Sequence, residues 1–333
     1  MKRIVLIQVI FCISLFAMAQ TAKTEQVDGV YYMLWSTYAW VTKRPEGAKP
    51  YDGEVNIPEQ ISYEGKIYKV DAISWEAFDN CPKLTAVHLP NTIKRIAGYA
   101  FYRCPALTTV NIPESVEEIE GFAFRECDAL SDIKIPASIK KMSSAAFWNC
   151  KGFPMVNGLR YADNYLIESD GQQASYDVKE GTRWIGDKAF HQNPALKAIE
   201  LPSSLEVLGN WAFDDCTSLR IVDLRNTQIT SIPGAFANCV SLTMVILPAT
   251  LKYIPWDAFS SCWKLTDIYC LAPTAPIVAT HEELGVDAFN SFDKEHCRVH
   301  IPRGSLFSYK AALGWMSFKH LEEDVQKIYR VAN

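Results

Sequence analysis

One phenylalanine position recurs every 23 residues along much of this 333-residue chain, and this period constrains the fold more than any other feature. Each of these phenylalanines follows an alanine, and a cysteine follows three residues later in every repeat but one. The phenylalanines are Phe78, Phe101, Phe124, Phe147, Phe190, Phe213, Phe236 and Phe259. The cysteines are Cys81, Cys104, Cys127, Cys150, Cys216, Cys239 and Cys262, with Asn193 in the fifth repeat. Such a period is typical of repeat proteins, whose units stack to bury a shared core.

The rest of each repeat predicts a short strand that a proline closes. Six residues after the phenylalanine begins a run such as Leu107-x-x-Val110-x-Ile112, and a proline ends most of these runs. The last two apolar residues of the run share one strand face, and proline ends the strand because it donates no backbone hydrogen bond. The Ala-Phe-x-x-Cys part predicts a short helical or tight-turn segment, whose phenylalanines stack at the strand spacing of about 4.8 Å.

This repeat resembles the leucine-rich repeats of BspA-like bacterial surface proteins over about residues 73–270. The flanks are similar as well, with Asp28-Gly29-Val30-Tyr31-Tyr32 matching the family's N-terminal cap and Val299–Ser305 matching its closing segment. The resemblance implies an α/β repeat solenoid, a right-handed stack of short strands and short helical turns that is capped at both ends. It also implies extracytoplasmic binding or adhesion, without a shared binding motif to transfer residue by residue.

We expect one elongated solenoid made of four segments. Residues 1–19 form a signal peptide, 20–72 an N-terminal cap, 73–270 the repeats, and 271–333 an irregular exit with a C-terminal cap. An insertion at about residues 157–178 separates the fourth and fifth repeats, and its Ser169-Asp170-Gly171-Gln172 segment predicts a hairpin turn.

The N-terminus predicts export. A basic pair precedes an apolar stretch at residues 4–16 that is too short for a membrane span, and Ala17-Met18-Ala19 is a cleavage site. Cys12 does not fit a lipoprotein because bulky Phe11 precedes it and apolar residues follow it. We expect cleavage after Ala19 and no later membrane span, which gives an exported protein that is periplasmic, on the cell surface or secreted.

Composition and motifs exclude several functions. A net charge of −5 with no basic block argues against a nucleic-acid partner. The chain has no local signature of a zinc, calcium, phosphate-loop or nucleophile-elbow site, so we expect neither an enzyme nor a cofactor. His296-Cys297-x-x-His300, near His281, superficially suggests zinc. A predicted strand would spread these ligands apart, so ordinary cap side chains are the favoured interpretation.

The cysteines have two interpretations. Export favours a disulfide framework. Asn193 in the same register and the parallel Cβ vectors of stacked repeats favour buried thiols that bind turn backbone. Cys270 and Cys297 lie outside the register, and a bridge between them stays open.

Two surfaces are candidates for a partner. The predicted solvent face of the strands becomes apolar in the last units, at Ile221, Met244, Ile246 and Tyr269, although a solvated face with scattered apolar residues is the ordinary alternative. Aromatic residues beside the Ala-Phe core are the second candidate, because such rings anchor protein partners and stack on sugars. They are Trp75, Tyr99, Tyr102, Phe122, Trp148, Trp211, Trp256 and Trp263.

The segment after Pro302 predicts a lid over the last repeat. Gly304-Ser305 predicts a turn and a helix N-cap, after which apolar residues recur at burial spacing. These residues are Leu306, Tyr309, Leu313, Trp315, Phe318 and Leu321. The alternative is that this aromatic and acidic segment is itself the binding element.

These patterns predict an exported, non-enzymatic binding or adhesion module. Its expected partner is a host or extracellular protein, and we expect a monomer. The alternative is a glycan-binding accessory protein of a carbohydrate-scavenging bacterium that reads sugar with exposed Trp and Tyr. A hydrolase hidden in the insertion is the least favoured reading.

Overall fold

The computed structural model describes residues 23–330, so the predicted signal peptide and its cleavage site lie outside the described residues. The chain divides into two compact units, Met1–Gly152 and Phe153–Asn333. Both have a repeat fold with many short strands and few helices. Among the described residues, no helix is both long enough and apolar enough to cross a membrane.

Unit 1 builds two sheets from eleven strands. The strands are β1 Lys23–Val27, β2 Val30–Leu34, β3 Tyr38–Val41, β4 Asp52–Asn56, β5 Gln60–Tyr63, β6 Lys66–Ile73, β7 Lys83–His88, β8 Arg95–Ile96, β9 Thr109–Asn111, β10 Glu118–Ile119 and β11 Lys141–Met142. One sheet has the order β1-β2-β3-β6-β8-β10-β11, with β5 also paired to β6. The other has the order β4-β7-β9 and is parallel throughout.

Unit 2 builds three sheets and carries the described helices. Its strands are β12 Met155–Val156, β13 Leu159–Ala162, β14 Tyr165–Ser169, β15 Trp184–Ile185, β16 Val207–Leu208, β17 Ile221–Asp223, β18 Met244–Leu247, β19 Tyr253–Ile254, β20 Asp267–Cys270, β21 Ile277–Val278, β22 Arg298–His300 and β23 His320–Glu322. Its helices are α1 Leu306–Ala311 and the 3₁₀ turns Trp315–Ser317 and Val325–Arg330. The sheet orders are β12-β13-β14-β15-β16, β17-β18-β20-β22-β23 and β19-β21.

Strand pairing follows the sequence period. Glu118 on β10 pairs with Arg95 on β8 and with Lys141 on β11, and each of these positions is 23 residues from the next. The repeats therefore stack in register, which places equivalent residues of successive repeats side by side.

The Ala-Phe-x-x-Cys segment is a series of turns, so the helical turns expected between the strands do not form in the described repeats. The residue two places after the phenylalanine has a positive φ in all eight repeats, as at Arg103 (56°) and Glu126 (60°). The phenylalanine N–H donates to the next repeat, as from Phe101 to the Ala123 carbonyl at 2.7 Å. In a helix, backbone N–H groups donate to carbonyls of the same segment. Here the phenylalanine N–H donates to the next repeat instead, so hydrogen bonds between repeats take the place of a helix.

The phenylalanines form the expected stack within each unit. Phe101 and Phe147 lie on either side of Phe124, with ring centroids 5.1 and 5.0 Å away and planes nearly parallel. In unit 2 the stack runs from Phe190 through Phe259 and continues to Phe289, which lies outside the 23-residue period. All of these rings are fully buried, so the phenylalanine register forms the spine of both units.

The register cysteines are free, buried thiols that bind backbone. The Cys127 thiol donates to the Phe101 carbonyl of the preceding repeat at 3.0 Å, and Cys104, Cys150, Cys216, Cys239 and Cys262 make the equivalent bond. Asn193 instead donates from its amide to the Tyr176 hydroxyl at 3.1 Å. Cys270 and Cys297 are also free.

Burial should make thiols in this position poorly reactive. It raises the pKa of Cys216 and of Cys262 to about 12, which leaves little reactive thiolate at neutral pH. Cys81 stands in the first repeat, and there a hydrogen bond with the Cys104 thiol lowers the pKa.

Both units open in the same way. A two-residue turn with two positive φ values, Asp28-Gly29 in unit 1 and Asn157-Gly158 in unit 2, begins an antiparallel hairpin. The last hairpin strand then pairs in parallel with the first repeat strand, β3 with β6 and β14 with β15. A tilted tyrosine covers the first phenylalanine, Tyr51 on Phe78 and Tyr176 on Phe190.

The hairpin turn predicted at residues 169–172 is therefore in the wrong place. β13 and β14 turn at residues 163–164, and β14 ends at Ser169. The Asp170 carboxylate accepts a hydrogen bond from the Tyr176 hydroxyl at 2.6 Å, which fixes the loop that follows.

The segment after Pro302 buries two aromatic rings at the end of the stack and differs from the prediction at two other residues. Trp315 and Phe318 are buried against Phe289, the last ring of the stack. Leu313 is exposed rather than buried, because α1 ends at Ala311 and the helical spacing is lost beyond it. Ser305 precedes α1, but its hydroxyl donates to the Pro273 carbonyl at 2.9 Å instead of capping the helix.

We predict that Phe124→Ala lowers the free energy of unfolding by about 3–5 kcal/mol, because it opens a cavity between two stacked rings. Phe307→Ala is the matched control, since that ring is 86% exposed, and it should change stability by less than about 0.5 kcal/mol. Urea unfolding measures both. A loss below about 1 kcal/mol for Phe124→Ala would contradict the spine.

We also predict that the seven register cysteines, together with Cys270 and Cys297, react as free thiols. The measurement is thiol titration of protein that was purified without reductant and then unfolded. A majority of the register cysteines in disulfides would contradict the thiol–carbonyl ladder.

Candidate functional site

The four apolar residues predicted on the strand face do come together in unit 2. Ile221 pairs with Met244 across β17 and β18, and Ile246 pairs with Tyr269 across β18 and β20. Ile221 is exposed and Met244 is half-buried. The expectation that Ile246 and Tyr269 face solvent is wrong, since they are only 3% and 6% exposed.

The chain's own tail, here Asp324–Arg330, covers these two residues. Ile328 packs with Ile246 and Tyr269 in a small apolar cluster that is separate from the main core, and Val325 borders it. The sequence pattern missed this cover because the stretch around Val325 and Ile328 is short and mostly polar up to Lys327.

A polar cluster anchors the same tail. The buried His300 ring stacks on Tyr269 with a centroid distance of 4.1 Å, and its Nδ1 lies 2.7 Å from Asp324 Oδ1. The Lys327 ammonium lies 2.6 Å from Asp324 Oδ2. Burial alone would raise the pKa of Asp324, but hydrogen bonds from Lys327 and His300 hold it below its usual range.

His300, Glu322 and Asp324 also bring three possible metal-ligand atoms within 4.8 Å of one another. The lysine ammonium already neutralises Asp324, so the geometry supports an ion-paired anchor better than a metal centre. His296 is not part of this group, because it is exposed in a turn and pairs with Asp293 at 2.5 Å.

The three predicted tryptophans lie apart from the strand face, on the turns. Trp148 is half-buried in unit 1. Trp211 is 43% exposed, and its indole forms a hydrogen bond with Asp257, whose pKa burial raises. Trp256 is half-buried, with its ring edge-on to His281 at a centroid distance of 4.6 Å.

A more continuous surface crosses three repeats of unit 1. We call it the aromatic strip, and it consists of Trp75, Tyr99, Tyr102, Phe122, Arg103 and Arg125. Tyr99 is its centre, with ring centroids 4.8 Å from Trp75, 5.4 Å from Tyr102 and 5.1 Å from Phe122. Trp75 is the most open of these rings, at 53% exposure.

Two arginines complete the strip. The Arg103 and Arg125 guanidinium carbons lie 4.7 and 5.3 Å from the centre of the Tyr102 ring, and Glu126 pairs with both arginines. Cation–π contact and ion pairing hold these long side chains in place before any partner binds. Sequence inspection identified the rings but not the arginines, although Arg125 stands in the same register position as Tyr102, one repeat later.

A glycine makes room for the outermost ring. A Cβ added at Gly98 would lie 2.7 Å from the Trp75 ring, so the indole rests on bare backbone of the next repeat. Gly121, in the same position one repeat later, has an open neighbourhood, with Ser143 Oγ at 3.5 Å.

The fold does not require aromatic residues in this strip. Tyr99 and Phe122 have φ values of 56° and 60°, a left-handed conformation that favours glycine. The equivalent position in unit 2 includes Gly234, at φ 56°. Backbone geometry therefore does not explain the bulky rings at these positions.

The repeats match a protein-family model described as "BspA type Leucine rich repeat region", in six copies over residues 71–169 and 163–290. A leucine rich cell surface protein from Faecalibacterium prausnitzii A2-165 is 20% identical, covering 90% of this chain and 94% of its own, with a TM-score of 0.36. A leucine-rich repeat protein from Bacteroides ovatus is 22% identical, with coverage of 91% and 74% and a TM-score of 0.36. One from Bacteroides capillosus is 31% identical over 36% of this chain and 87% of its own, with a TM-score of 0.31. No curated protein matches the chain.

We predict that Gly98→Ala lowers the free energy of unfolding by about 1–3 kcal/mol, because the new methyl group collides with the Trp75 ring. Gly121→Ala is the matched control and should be neutral or stabilise by up to about 1 kcal/mol. Denaturant unfolding measures both. Equal effects of the two changes would mean that Trp75 does not lie on Gly98.

Proposed function

Because the chain belongs to the BspA-type leucine-rich-repeat family, we propose that it is a non-enzymatic binding module that recognises a host or extracellular protein. Leucine-rich-repeat families are generally non-catalytic binding modules, and bacterial members include cell-surface proteins. The observation that carries the proposal is the aromatic strip, a continuous group of rings and arginines in which Tyr99, Phe122 and Arg103 occupy left-handed backbone positions that favour glycine.

The composition of the strip favours a protein partner. Trp, Tyr and Arg are the residues most enriched among binding hot spots, where a few side chains supply most of the affinity. Rings in mutual contact and paired arginines lose little conformational freedom on binding, since their neighbours already hold them. The rings also share their faces with one another and with the arginines, which leaves less open ring face for a sugar.

A glycan ligand is the second candidate, and a different residue favours it. Trp263 is 62% exposed on a turn of unit 2 and offers the open aromatic surface on which a pyranose ring stacks. This alternative retains the role of an accessory protein that holds carbohydrate.

We further propose that each unit is a right-handed solenoid with caps and that the protein is an exported monomer. The basic pair, the apolar stretch at residues 4–16 and the cleavage site before Gln20 support export to the periplasm, the cell surface or the medium. Deeply buried thiols fit an oxidising compartment because they are poor substrates for disulfide exchange.

We predict that binding to a protein ligand depends on the aromatic strip. Mature wild-type protein is tested against purified extracellular-matrix proteins and a glycan array, together with Trp75→Ala, Tyr102→Ala and Trp263→Ala. The first two variants should lose about 2 kcal/mol or more of binding free energy toward the protein ligand, as hot-spot residues do.

Trp263→Ala is the matched control, since it removes an indole outside the strip that is also more than half exposed. Protein binding that survives both strip variants would contradict the proposed site. Binding to glycans alone, lost in Trp263→Ala, would replace the protein-binding proposal with the carbohydrate alternative.

A further inference from the structure

The strand faces of the two units differ where a partner could reach them. In unit 1, strand β9 presents Thr109 and Asn111 to solvent. In unit 2, the corresponding face presents Met244, Ile246 and Tyr269, which a polar solvated face would not require.

The tail occupies this apolar surface as a ligand would. Ile328 lies in the small cluster with Ile246 and Tyr269 and is 2% exposed, while Val325, Met244 and Leu271 form its border. None of these residues belongs to the main core of unit 2, which is closed by Trp315 and Phe318. The tail could therefore leave the surface without opening the main core.

Among the described contacts, few polar bonds hold the tail to the sheet. The His300 ring nitrogen faces Asp324 at 2.7 Å, and the Val325 N–H donates to the Ile301 carbonyl at 3.3 Å. The other ring nitrogen of His300 lies 3.5 Å from Asp267, which pairs with Arg298 at 2.6 Å. The surface thus offers the hydrogen-bonding ring of His300 at one end and an apolar recess at the other.

We propose that Met244, Ile246, Tyr269 and His300 form a peptide-binding surface that the tail occupies as an internal ligand. The partner is a peptide segment with a carboxylate four residues before an aliphatic side chain, which is the spacing of Asp324 and Ile328. The carboxylate binds His300 and the aliphatic group enters the recess. Such a partner binds only when the tail is displaced, so the tail is also an autoinhibitory element.

The test uses the full mature chain and a fluorescein-labelled peptide with the sequence of residues 322–330. Ile328→Asp in the protein should release the tail and bind the peptide at least about tenfold more tightly than wild type, because the internal competitor is lost. Gln326→Asp is the matched control: it adds the same charge at an exposed position of the tail and should bind like wild type. Fluorescence anisotropy measures the affinities.

Three further measurements separate peptide recognition from general loosening. Adding Ile246→Asp to the Ile328→Asp protein should abolish binding, and a peptide carrying the Ile328→Asp change should not bind. Asp324→Asn in the protein weakens the anchor while keeping Ile328, and it should give an intermediate gain even if Ile328→Asp folds poorly. The proposal is overturned if folded Ile328→Asp and Asp324→Asn proteins bind the peptide no better than wild type, or if Ile246→Asp leaves binding unchanged.

This surface is independent of the aromatic strip, which lies in unit 1. Trp75→Ala should therefore leave peptide binding by the Ile328→Asp protein intact. Failure of one proposal does not imply failure of the other.

Discussion

The backbone bond from a phenylalanine N–H to the alanine carbonyl of the next repeat, made by Phe101, Phe124 and four equivalent phenylalanines, is the constraint on which the structure depends. It draws the turn segments together at the spacing of a sheet, so that the phenylalanine rings meet face to face. It also leaves the phenylalanine carbonyl turned toward the following repeat, where a buried thiol donates to it. The alanine, the phenylalanine and the cysteine of the motif therefore all take part in the contact between neighbouring repeats. A substitution at any of them affects two repeats at once.

Much of this arrangement could be predicted because it repeats. The spacing of Phe101 and Phe124 predicts their stack, and Asn193 in a cysteine register indicates a group that forms hydrogen bonds rather than a disulfide partner. Features that occur once were harder to predict. The position of the hairpin in the insertion depended on the choice between several turn-forming pairs. The exposure of Leu313 depended on where α1 ends.

The candidate surfaces show the same limit. Pattern alone places Ile246 and Tyr269 on the outer side of their strands, and that side is correct. Their burial arises from a tail more than fifty residues away in sequence, and no local pattern reports such a contact. The rings of the aromatic strip could be identified from their positions beside the Ala-Phe motif. Their arrangement as one continuous surface depends on Gly98 and on arginines that become neighbours only when the repeats stack.

The second hairpin, with Tyr176 on the first phenylalanine of unit 2, has a consequence for how that unit begins its stack. In a stacked array each repeat is stabilised by contacts with its neighbouring repeats. In the first repeat of unit 2, strand β15 pairs with β14 and the Phe190 ring contacts Tyr176, and both partners lie in the same unit. Unit 2 therefore carries its own template for the first repeat, supplying from the hairpin and Tyr176 the strand and ring contacts that a preceding repeat supplies elsewhere in the array.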